Sequence, residues 1–345
     1  MIILIRHAEA TGQHPHAPLT ADGCIEAQKL CSFLASLYAI DQIICSPFLR
    51  ALETIKPLAA LIGIPILKDS RLAERFIDES ADMNEDKLEE LIRDSFDNYD
   101  LEIGKSETNR QVQERAKSIL DDLDREKLTV LVSHGNFCTV LLNLFSHHGY
   151  SQMIEMTRPD AFLIDKSIER LWTRNGIPLQ KERTSVRAIL CNATEDEIFL
   201  LLLDRRKVGL KGLYDAVWIT PGGGVEPEEN PEDCLKRELF EEVGLYDHQY
   251  DIICCAGSFV NLILHRNLPL KIYNTFYLVR LKQQFIYSNE FQTEDERKII
   301  TDTKWWSLDD LSSSSENLDP PQLKNFIAFK GNLNGISELF NKPGS

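Results

Sequence analysis

Several features that mark other classes of protein are missing from this 345-residue sequence. No apolar run approaches the roughly 18 residues that cross a bilayer, and the run IFLLLL at 198–203 is typical of a core strand. The first ten residues, MIILIRHAEA, hold neither a basic segment nor a cleavage site. We therefore expect no signal peptide and no membrane partner.

Paired cysteines and excess positive charge are missing as well. The eight cysteines form no CxxC spacing and are scattered over predicted strands and helices, which argues against zinc and against a disulfide framework. Lysine and arginine number 38 against 54 aspartates and glutamates, for a net charge of −16. This charge predicts no binding to nucleic acid polymers, although it allows a local basic pocket. The setting we expect is reducing and cytoplasmic.

The chain is longer than most single hydrophobic cores, so its length predicts two domains. Residues 173–183, TRNGIPLQKER, combine Asn-Gly, a proline and a charge cluster, as linkers do. We predict domains at residues 1–174 and 184–345, joined by a linker at 175–183.

The stretch at 222–245, GGGVEPEENPEDCLKRELFEEVGL, predicts a glycine-rich turn followed by a helix. Asn230 can cap this helix, Pro231 suits its first turn, and Gly244 supplies the left-handed residue that ends it. An α-helix advances about 100° per residue, so side chains three and four apart share a face. The apolar face that follows from this spacing holds Leu235, Leu239 and Val243.

Three glutamates form an acidic face on the same helix. Glu238, Glu241 and Glu242 lie three and four residues apart, and Arg237 can reach Glu241 one turn on. Clustered carboxylate oxygens suit Mg²⁺ or Mn²⁺, which are hard cations. The face therefore predicts a divalent-metal site.

At this point the stretch resembles the Nudix box, a fixed spacing of glycine, acidic, arginine and aliphatic positions. The matching residues are Gly223, Glu229, Arg237, Glu238, Leu239, Glu241, Glu242, Gly244 and Leu245. The resemblance implies an α/β/α Nudix fold with a mixed sheet. It also implies a pyrophosphohydrolase for a small molecule, either a nucleoside diphosphate linked to another group or a nucleoside triphosphate.

The resemblance also implies roles for individual residues. Glu238, Glu241 and Glu242 would bind Mg²⁺ or Mn²⁺, and Arg237 would orient a carboxylate. Glu229 would support the loop or an outer-shell water. Catalysis would then rest on Arg237, Glu238 and Glu241.

Two roles in this domain stay open. The general base would be a glutamate of the box or an acid in a later loop, Glu294 or Glu296. Arg183 and Arg187 would help to hold substrate.

The first half of the chain alternates strands and helices, which predicts a three-layer α/β/α domain with a largely parallel sheet. Its predicted strands deliver Arg6 and His7, then Arg50 just inside the next helix, then His134. Guanidinium groups can clamp phosphoryl oxygens, one neutral imidazole can attack phosphorus, and a second can stabilise charge on the oxygens. These residue types predict a phosphate pocket.

This half resembles the histidine phosphatase superfamily, also called phosphoglycerate mutase-like, over roughly residues 1–165. The matching stretches are RHAEA at 6–10, LTADG at 19–23, CSPFLRALET at 45–54, Leu72 with Glu74, and SHG at 133–135. The resemblance implies that His7 becomes phosphorylated and that Arg6, Arg50, His134 and Gly135 bind the phosphoryl group. It also implies that this domain needs no cofactor.

Glu74 is the candidate for the acid that protonates the leaving group, with Asp78 and Glu79 as alternatives. Ala8, Gln13 and Cys45 depart from the commonest family form.

The two resemblances together predict a bifunctional phosphohydrolase. Its second domain would cut a diphosphate, and its first would hydrolyse a phosphomonoester that could be the product of that cut. Two alternatives remain for the first domain, a non-catalytic phosphate-binding module or a protein phosphohistidine phosphatase.

Overall fold

The computed structural model describes residues 1–78, 85–178, 181–204, 216–265 and 267–329. The chain divides into two compact units, residues 1–179 and 180–345. The division falls within the predicted linker 175–183, whose last residues, from Lys181, already begin a strand.

The first unit is built on a six-stranded sheet in the order β3-β2-β4-β1-β5-β6. Strands β1 to β4 run parallel to one another. Strand β5 pairs antiparallel with β1, and β6 pairs antiparallel with β5 at that edge of the sheet. The strands are β1 (Ile2–Arg6), β2 (Gln42–Cys45), β3 (Ile66–Lys68), β4 (Thr129–Ser133), β5 (Asp160–Ile164) and β6 (Ile168–Trp172).

Helices cover both faces of this sheet. They are α1 (Ala21–Leu37), α2 (Leu49–Ile62), α3 (Glu85–Asp94), α4 (Asn109–Asp122), α5 (Gly135–Leu142) and α6 (Tyr150–Glu155). Leu4 of β1 and Leu131 of β4 pack with buried residues of α4 and α5, while α1 and α2 contact each other on the other side. Every residue of β4 is buried, as expected for a central parallel strand.

The second unit is built on a mixed sheet in the order β10-β11-β7-β8-β9-β13, with β12 also paired to β8. Its strands are β7 (Lys181–Cys191), β8 (Glu197–Asp204), β9 (Ala216–Ile219), β10 (Tyr250–His265), β11 (Leu268–Leu281), β12 (Ile300–Ser307) and β13 (Leu318–Asp319). Its helices are α7 (Pro231–Val243), α8 (Glu294–Ile299) and α9 (Leu308–Ser313), with a 3₁₀ helix at Pro321–Phe329.

Two hydrophobic cores lie on the two faces of this second sheet. One packs α7 against β7, β8 and β9, and the other packs α9 and the 3₁₀ helix against the opposite face. Both units are therefore α/β/α sandwiches, as predicted. No helix within the described ranges is long and apolar enough to cross a membrane.

Candidate active sites

Three strand ends of the first unit meet at one edge of its sheet. Arg6 closes β1 in register with Ser133 of β4, and the amide of His7 donates to the Ser133 carbonyl at 3.0 Å. The amide of Ser46, one residue past β2, donates to the Val132 carbonyl at 2.9 Å. Ligands of α/β sheets bind at the carboxyl ends of parallel strands, where these residues lie.

His7 is buried, and its contacts fix its protonation state. Its Nδ1 lies 2.6 Å from the Ala8 carbonyl, which can only accept, so Nδ1 carries the proton. Its Nε2 lies 3.0 Å from the Arg50 Nε, which can only donate, so Nε2 holds a lone pair. Burial and the Arg50 charge lower the pKa of His7 to about 3, despite the opposing bond to Ala8. The ring is therefore neutral, with its nucleophilic nitrogen facing a guanidinium.

Arg50 is buried, and both its guanidinium and its backbone carbonyl are hydrogen-bonded. Its Nη1 donates to the carbonyls of Gln13, at 2.9 Å, and His14, at 3.1 Å. One turn on, the Thr54 hydroxyl donates to the Arg50 carbonyl at 2.7 Å and accepts from the Ala8 amide at 2.9 Å. Thr54 thereby ties helix α2 to the residue that orients His7.

His134 is the second imidazole of the site. Its ring centroid lies 5.0 Å from that of His7, and its Nε2 lies 2.8 Å from the Ser46 hydroxyl. Burial, with the charges of His7 and Arg50, lowers the pKa of His134 well below its ordinary value. Its buried Nδ1 has no hydrogen-bond partner among the described residues, and a buried polar atom of this kind suits a ligand.

Arg6 and Gly135 lie against each other. A Cβ on Gly135 would lie 2.9 Å from the Arg6 Nη2, so only glycine leaves room for this guanidinium. Nη1 of Arg6 donates to the Met156 carbonyl at 2.6 Å, while its buried Nε has no partner in the described part of the chain. Arg6 thus has donor capacity for an oxyanion beside the His134 backbone.

Glu74 contacts the first turn of α5, the helix that follows His134. Its Oε1 accepts from the amides of Arg75, at 3.0 Å, and Phe137, at 3.3 Å, and its charge raises the pKa of Arg6 and Arg50. Asp78 instead accepts from the Lys105 amide at 3.3 Å. Glu79 lies outside the described residues.

The acidic site of the second unit is formed by α7 and the glycine turn before it. The Gly222 amide donates to the Glu242 carboxylate at 2.7 Å. Gly222 has a φ of 134°, and a Cβ there would lie 2.2 Å from the Val186 carbonyl. A Cβ on Gly223 would lie 2.3 Å from the Glu238 carboxylate. Gly223 therefore leaves room for the Glu238 carboxylate, and Gly222 lets the turn pass close to the backbone of β7.

Arg237 connects the acidic residues of this site. Its Nε and Nη2 donate to the two oxygens of Glu229 at 2.8 and 2.9 Å, a bidentate pair that lowers the pKa of Glu229 to about 2. Its Nη1 donates to Glu238 at 2.9 Å and to Glu241 at 3.0 Å. The predicted contact with Glu241 is present, and those with Glu229 and Glu238 are additional.

Comparison with known proteins assigns both units. Residues 2–163 match the family model of the histidine phosphatase superfamily (branch 1), and residues 181–328 match that of the NUDIX domain. The chain is a histidine phosphatase domain followed by a NUDIX domain. Both belong to hydrolase families, and the predicted family assignment and fold class are confirmed.

Curated relatives match short parts of the chain. The RNA pyrophosphohydrolase of Cellvibrio japonicus is 41% identical over 75 residues, 20% of this chain and 42% of that protein. Diphosphoinositol polyphosphate phosphohydrolase 2 of Rattus norvegicus is 43% identical over 58 residues, 17% of this chain and 29% of that protein. The chain thus spans less than half the length of these relatives.

Solved structures resemble about half of the chain. YhfR of Bacillus stearothermophilus covers 49% of this chain and 95% of its own, with 22% identity and a TM-score of 0.39. A phosphoserine phosphatase of Entamoeba histolytica covers 50% of this chain and 95% of its own, with 17% identity and a TM-score of 0.40.

NUDIX domains generally use a divalent metal, and the donors of this one suit such an ion. Burial raises the pKa of Glu242 to about 8 and also raises that of Glu238. A divalent cation would offset this cost, and carboxylate oxygens are its preferred ligands. Within the described ranges, however, no three acidic, histidine or cysteine side chains stand close enough to enclose an ion. Glu241 instead bonds Arg237, and Glu242 bonds Gly222.

The two open acids of the NUDIX domain differ in position. Glu294 is exposed and pairs with Lys298 at 2.8 Å. Glu296 caps α8 by accepting from the Thr293 amide at 2.7 Å, and its charge contributes to the raised pKa of Glu242. Glu296 therefore lies nearer to the acidic site.

The two open arginines also lie close to the NUDIX box. Nη1 of Arg187 donates to the Thr220 carbonyl at 3.1 Å, and its charge acts on both Glu238 and Glu242. The exposed Arg183 lies over Gly224, where a Cβ would be 2.2 Å from its guanidinium.

Sequence reasoning missed three residues around the phosphatase pocket: Ser46, which bonds His134; Thr54, which bonds the Ala8 amide; and Arg158, whose charge reaches His7. Ser46 and Thr54 are part of the stretch quoted from the sequence, but only the fold shows what they contact. No motif marks Arg158.

Proposed function

We propose that the protein is a bifunctional phosphohydrolase. Its NUDIX domain would cleave the diphosphate of a nucleoside diphosphate linked to another group, or of a nucleoside triphosphate. Its histidine phosphatase domain would hydrolyse a phosphomonoester through phospho-His7. The observation that carries the second activity is the neutral His7, with a lone pair on Nε2 between the guanidinium of Arg50 and the ring of His134.

In the first phosphatase step, Nε2 of His7 forms a bond to phosphorus as the bond to the leaving oxygen breaks. Glu74 gives its proton to that oxygen, so the alcohol leaves neutral. The Nε–H of Arg50 turns from His7 to a phosphoryl oxygen, which frees the lone pair. Arg6, through its unpartnered Nε, and His134 hold the other oxygens.

In the second step, water attacks the phosphohistidine. Glu74, now a carboxylate, accepts the proton of this water, the bond from phosphorus to Nε2 breaks, and inorganic phosphate leaves. The ring returns to its neutral form because Nδ1 keeps its proton, held by the Ala8 carbonyl at 2.6 Å.

In the NUDIX domain, Arg237 would hold the acidic groups in place through its bonds to Glu229, Glu238 and Glu241. Mg²⁺ or Mn²⁺ bound by Glu238, Glu241 and Glu242 would offset the charge of the two phosphates. The general base would be a glutamate of the box or Glu296, which lies nearer to Glu242 than its neighbour Glu294.

The substrate would be a small-molecule diphosphate, since a net charge of −16 disfavours polymeric nucleic acid and anionic membranes. The eight free thiols suit a reducing, cytoplasmic setting. Because one relative is named RNA pyrophosphohydrolase, RNA is a second substrate class to test.

The assignment is tested by following cleavage of diphosphate compounds by ³¹P NMR, with Mg²⁺ present or chelated. We expect a metal-dependent cut that Glu242→Gln removes and a metal-independent release of phosphate that His7→Ala removes. If His7→Ala leaves phosphate release from the NUDIX product unchanged, the coupled scheme fails.

A non-catalytic phosphatase domain is the alternative that the departures at Gln13 and Cys45 suggest. The Gln13 contact to Arg50 uses its carbonyl, which any residue supplies. Cys45 is fully buried, and burial raises the pKa of its thiol to about 12, so it acts as a packed side chain. Metal-independent hydrolysis of p-nitrophenyl phosphate that is lost in His7→Ala would eliminate this alternative.

A protein phosphohistidine phosphatase is the other alternative. Parallel assays of a histidine-phosphorylated protein and of small phosphomonoesters separate it from our proposal, which predicts turnover of the small esters.

A further inference from the structure

The turn between α6 and β5 brings a third arginine to the phosphatase pocket. Two contacts anchor this turn to Arg6. The Met156 carbonyl accepts from the Arg6 guanidinium at 2.6 Å, and Asp160 is the sheet partner of Arg6 in β5. Arg158 lies midway between these anchors, on the stretch of backbone that borders the pocket.

The turn itself is closed by its own hydrogen bonds. The Thr157 amide donates to the Asp160 carboxylate at 2.8 Å, and the Thr157 hydroxyl donates to the Pro159 carbonyl at 2.6 Å. The same hydroxyl accepts from the Arg174 amide at 2.8 Å. The backbone at Arg158 is therefore fixed from both sides, although its side chain is exposed.

The acid of this turn is already neutralised by another residue. Asp160 accepts from Nε of Arg170 at 2.9 Å and also from the Nη2 of that arginine. Within the described ranges, Arg158 has neither a hydrogen bond nor an ion pair. Its charge lowers the pKa of Arg6, His7 and Arg50, as expected for an arginine on a turn that is anchored to Arg6.

The three arginines at this pocket differ in burial. Arg6 and Arg50 lie inside the pocket and are buried, whereas Arg158 is exposed at its edge. Glu74 is the acid whose charge opposes those of Arg6 and Arg50. An unpaired guanidinium beside a phosphate pocket suits another anionic oxygen cluster.

We infer that Arg158 binds a second phosphoryl group of the substrate, next to the one transferred to His7. The preferred substrates would then be organic phosphates that carry two neighbouring phosphoryl groups. This inference rests on the proposed phosphatase function and gives Arg158 the role of selecting among its substrates.

The test measures binding rather than turnover, so it stands even if the phosphatase reaction fails. Orthophosphate and pyrophosphate are titrated calorimetrically into the full chain with excess EDTA, for the wild type, Arg158→Ala and Arg174→Ala. Arg174 is the matched control, because it belongs to the same surface but pairs with Glu9 at 3.3 Å.

We expect Arg158→Ala to weaken pyrophosphate binding about tenfold and to change orthophosphate binding less than about twofold. Arg174→Ala should leave both within about twofold of the wild type. Equal weakening of both anions in Arg158→Ala, or no change in pyrophosphate binding, overturns the inference.

Hydrolysis of p-nitrophenyl phosphate in EDTA reports separately on the proposed function. We expect the wild type to turn this ester over, because it carries the single phosphoryl group that His7 would accept. An inactive wild type together with selective loss of pyrophosphate binding would reject the phosphatase activity and keep the anion site.

Discussion

The two candidate active sites of this chain are built in opposite ways. In the phosphatase domain, His7, Arg50 and His134 come from three separate stretches and form a buried, positive pocket. In the NUDIX domain, Glu229 to Glu242 lie within one turn and one helix, and the site is acidic. In the proposed function, the first site would bind the substrate's phosphoryl oxygens with its own donors, whereas the second would need a cation between its carboxylates and the substrate.

This difference determines which substitutions would disrupt each site. The pocket depends on tertiary contacts, such as the Ala8 amide bonded to Thr54, so changes far from His7 in sequence reach it. The acidic site depends on the hydrogen bonds of Arg237 to nearby glutamates. The substitutions that would disrupt this site therefore lie within one helix and the turn before it.

The largest expected effects come from two substitutions that should each remove one activity and leave the other unchanged. We expect His7→Ala to reduce phosphomonoester hydrolysis by roughly 10³-fold or more and to leave metal-dependent diphosphate cleavage unchanged, because it removes the nucleophile. Glu242→Gln should produce the reverse. Initial rates on both substrates, with and without EDTA, measure this. Loss of both activities in either variant would mean that the sites do not act independently.

A substitution of Arg237 would test whether the geometry of the acidic site depends on this one residue. We expect Arg237→Lys to lower kcat/KM for diphosphate cleavage roughly 10²-fold, since lysine cannot make the bidentate bond to Glu229 while holding Glu238 and Glu241. Steady-state kinetics at saturating Mg²⁺ is the measurement. Lys236→Ala, the neighbour on the same helix, should stay close to the wild type. A similar loss in that control would point to helix destabilisation.

A pH series would test the buried, neutral imidazoles of the pocket. The folded-state pKa of His7 is about 3 against an ordinary 6.5, so the unfolded chain binds more protons between these values. Stability of the phosphatase domain should therefore fall as pH drops below 6.5, by about 2 kcal/mol from His7 alone between pH 7 and 5. His134 acts in the same direction.

Urea unfolding at the two pH values, in the wild type and in His7→Gln, measures this effect. The variant lacks the His7 titration, so it should lose about 2 kcal/mol less than the wild type on acidification. Equal losses in both proteins would show that His7 is not held neutral by the fold.

The smallest effect concerns the residue that positions His134. Ser46→Ala removes the 2.8 Å contact to Nε2 of His134, at a cost of about 1 kcal/mol. We expect kcat/KM for phosphomonoesters to fall roughly fivefold, with the NUDIX activity unchanged. Ser46→Thr, which keeps the hydroxyl, should retain more activity than Ser46→Ala. Equal activity in Ser46→Ala and the wild type would remove Ser46 from the site.

Individual strands and helices could be predicted where several neighbouring residues favoured the same element. The run IFLLLL at 198–203, which is typical of a core strand, lies within β8. In α7, Asn230 caps, Pro231 begins and Gly244 ends the helix as expected.

The sequence by itself determined the two folds and the acidic face of α7, because helical spacing and glycine positions act between neighbours along the chain. Only the tertiary structure decided the protonation of His7, the approach of Arg6 to Gly135, the contact of Glu74 with the Phe137 amide, and the position of the turn that carries Arg158. Each of these depends on contacts between strands that are distant in sequence. Burial at such a sheet edge removes water from charged groups, and this effect is set by the assembled fold rather than by any local spacing.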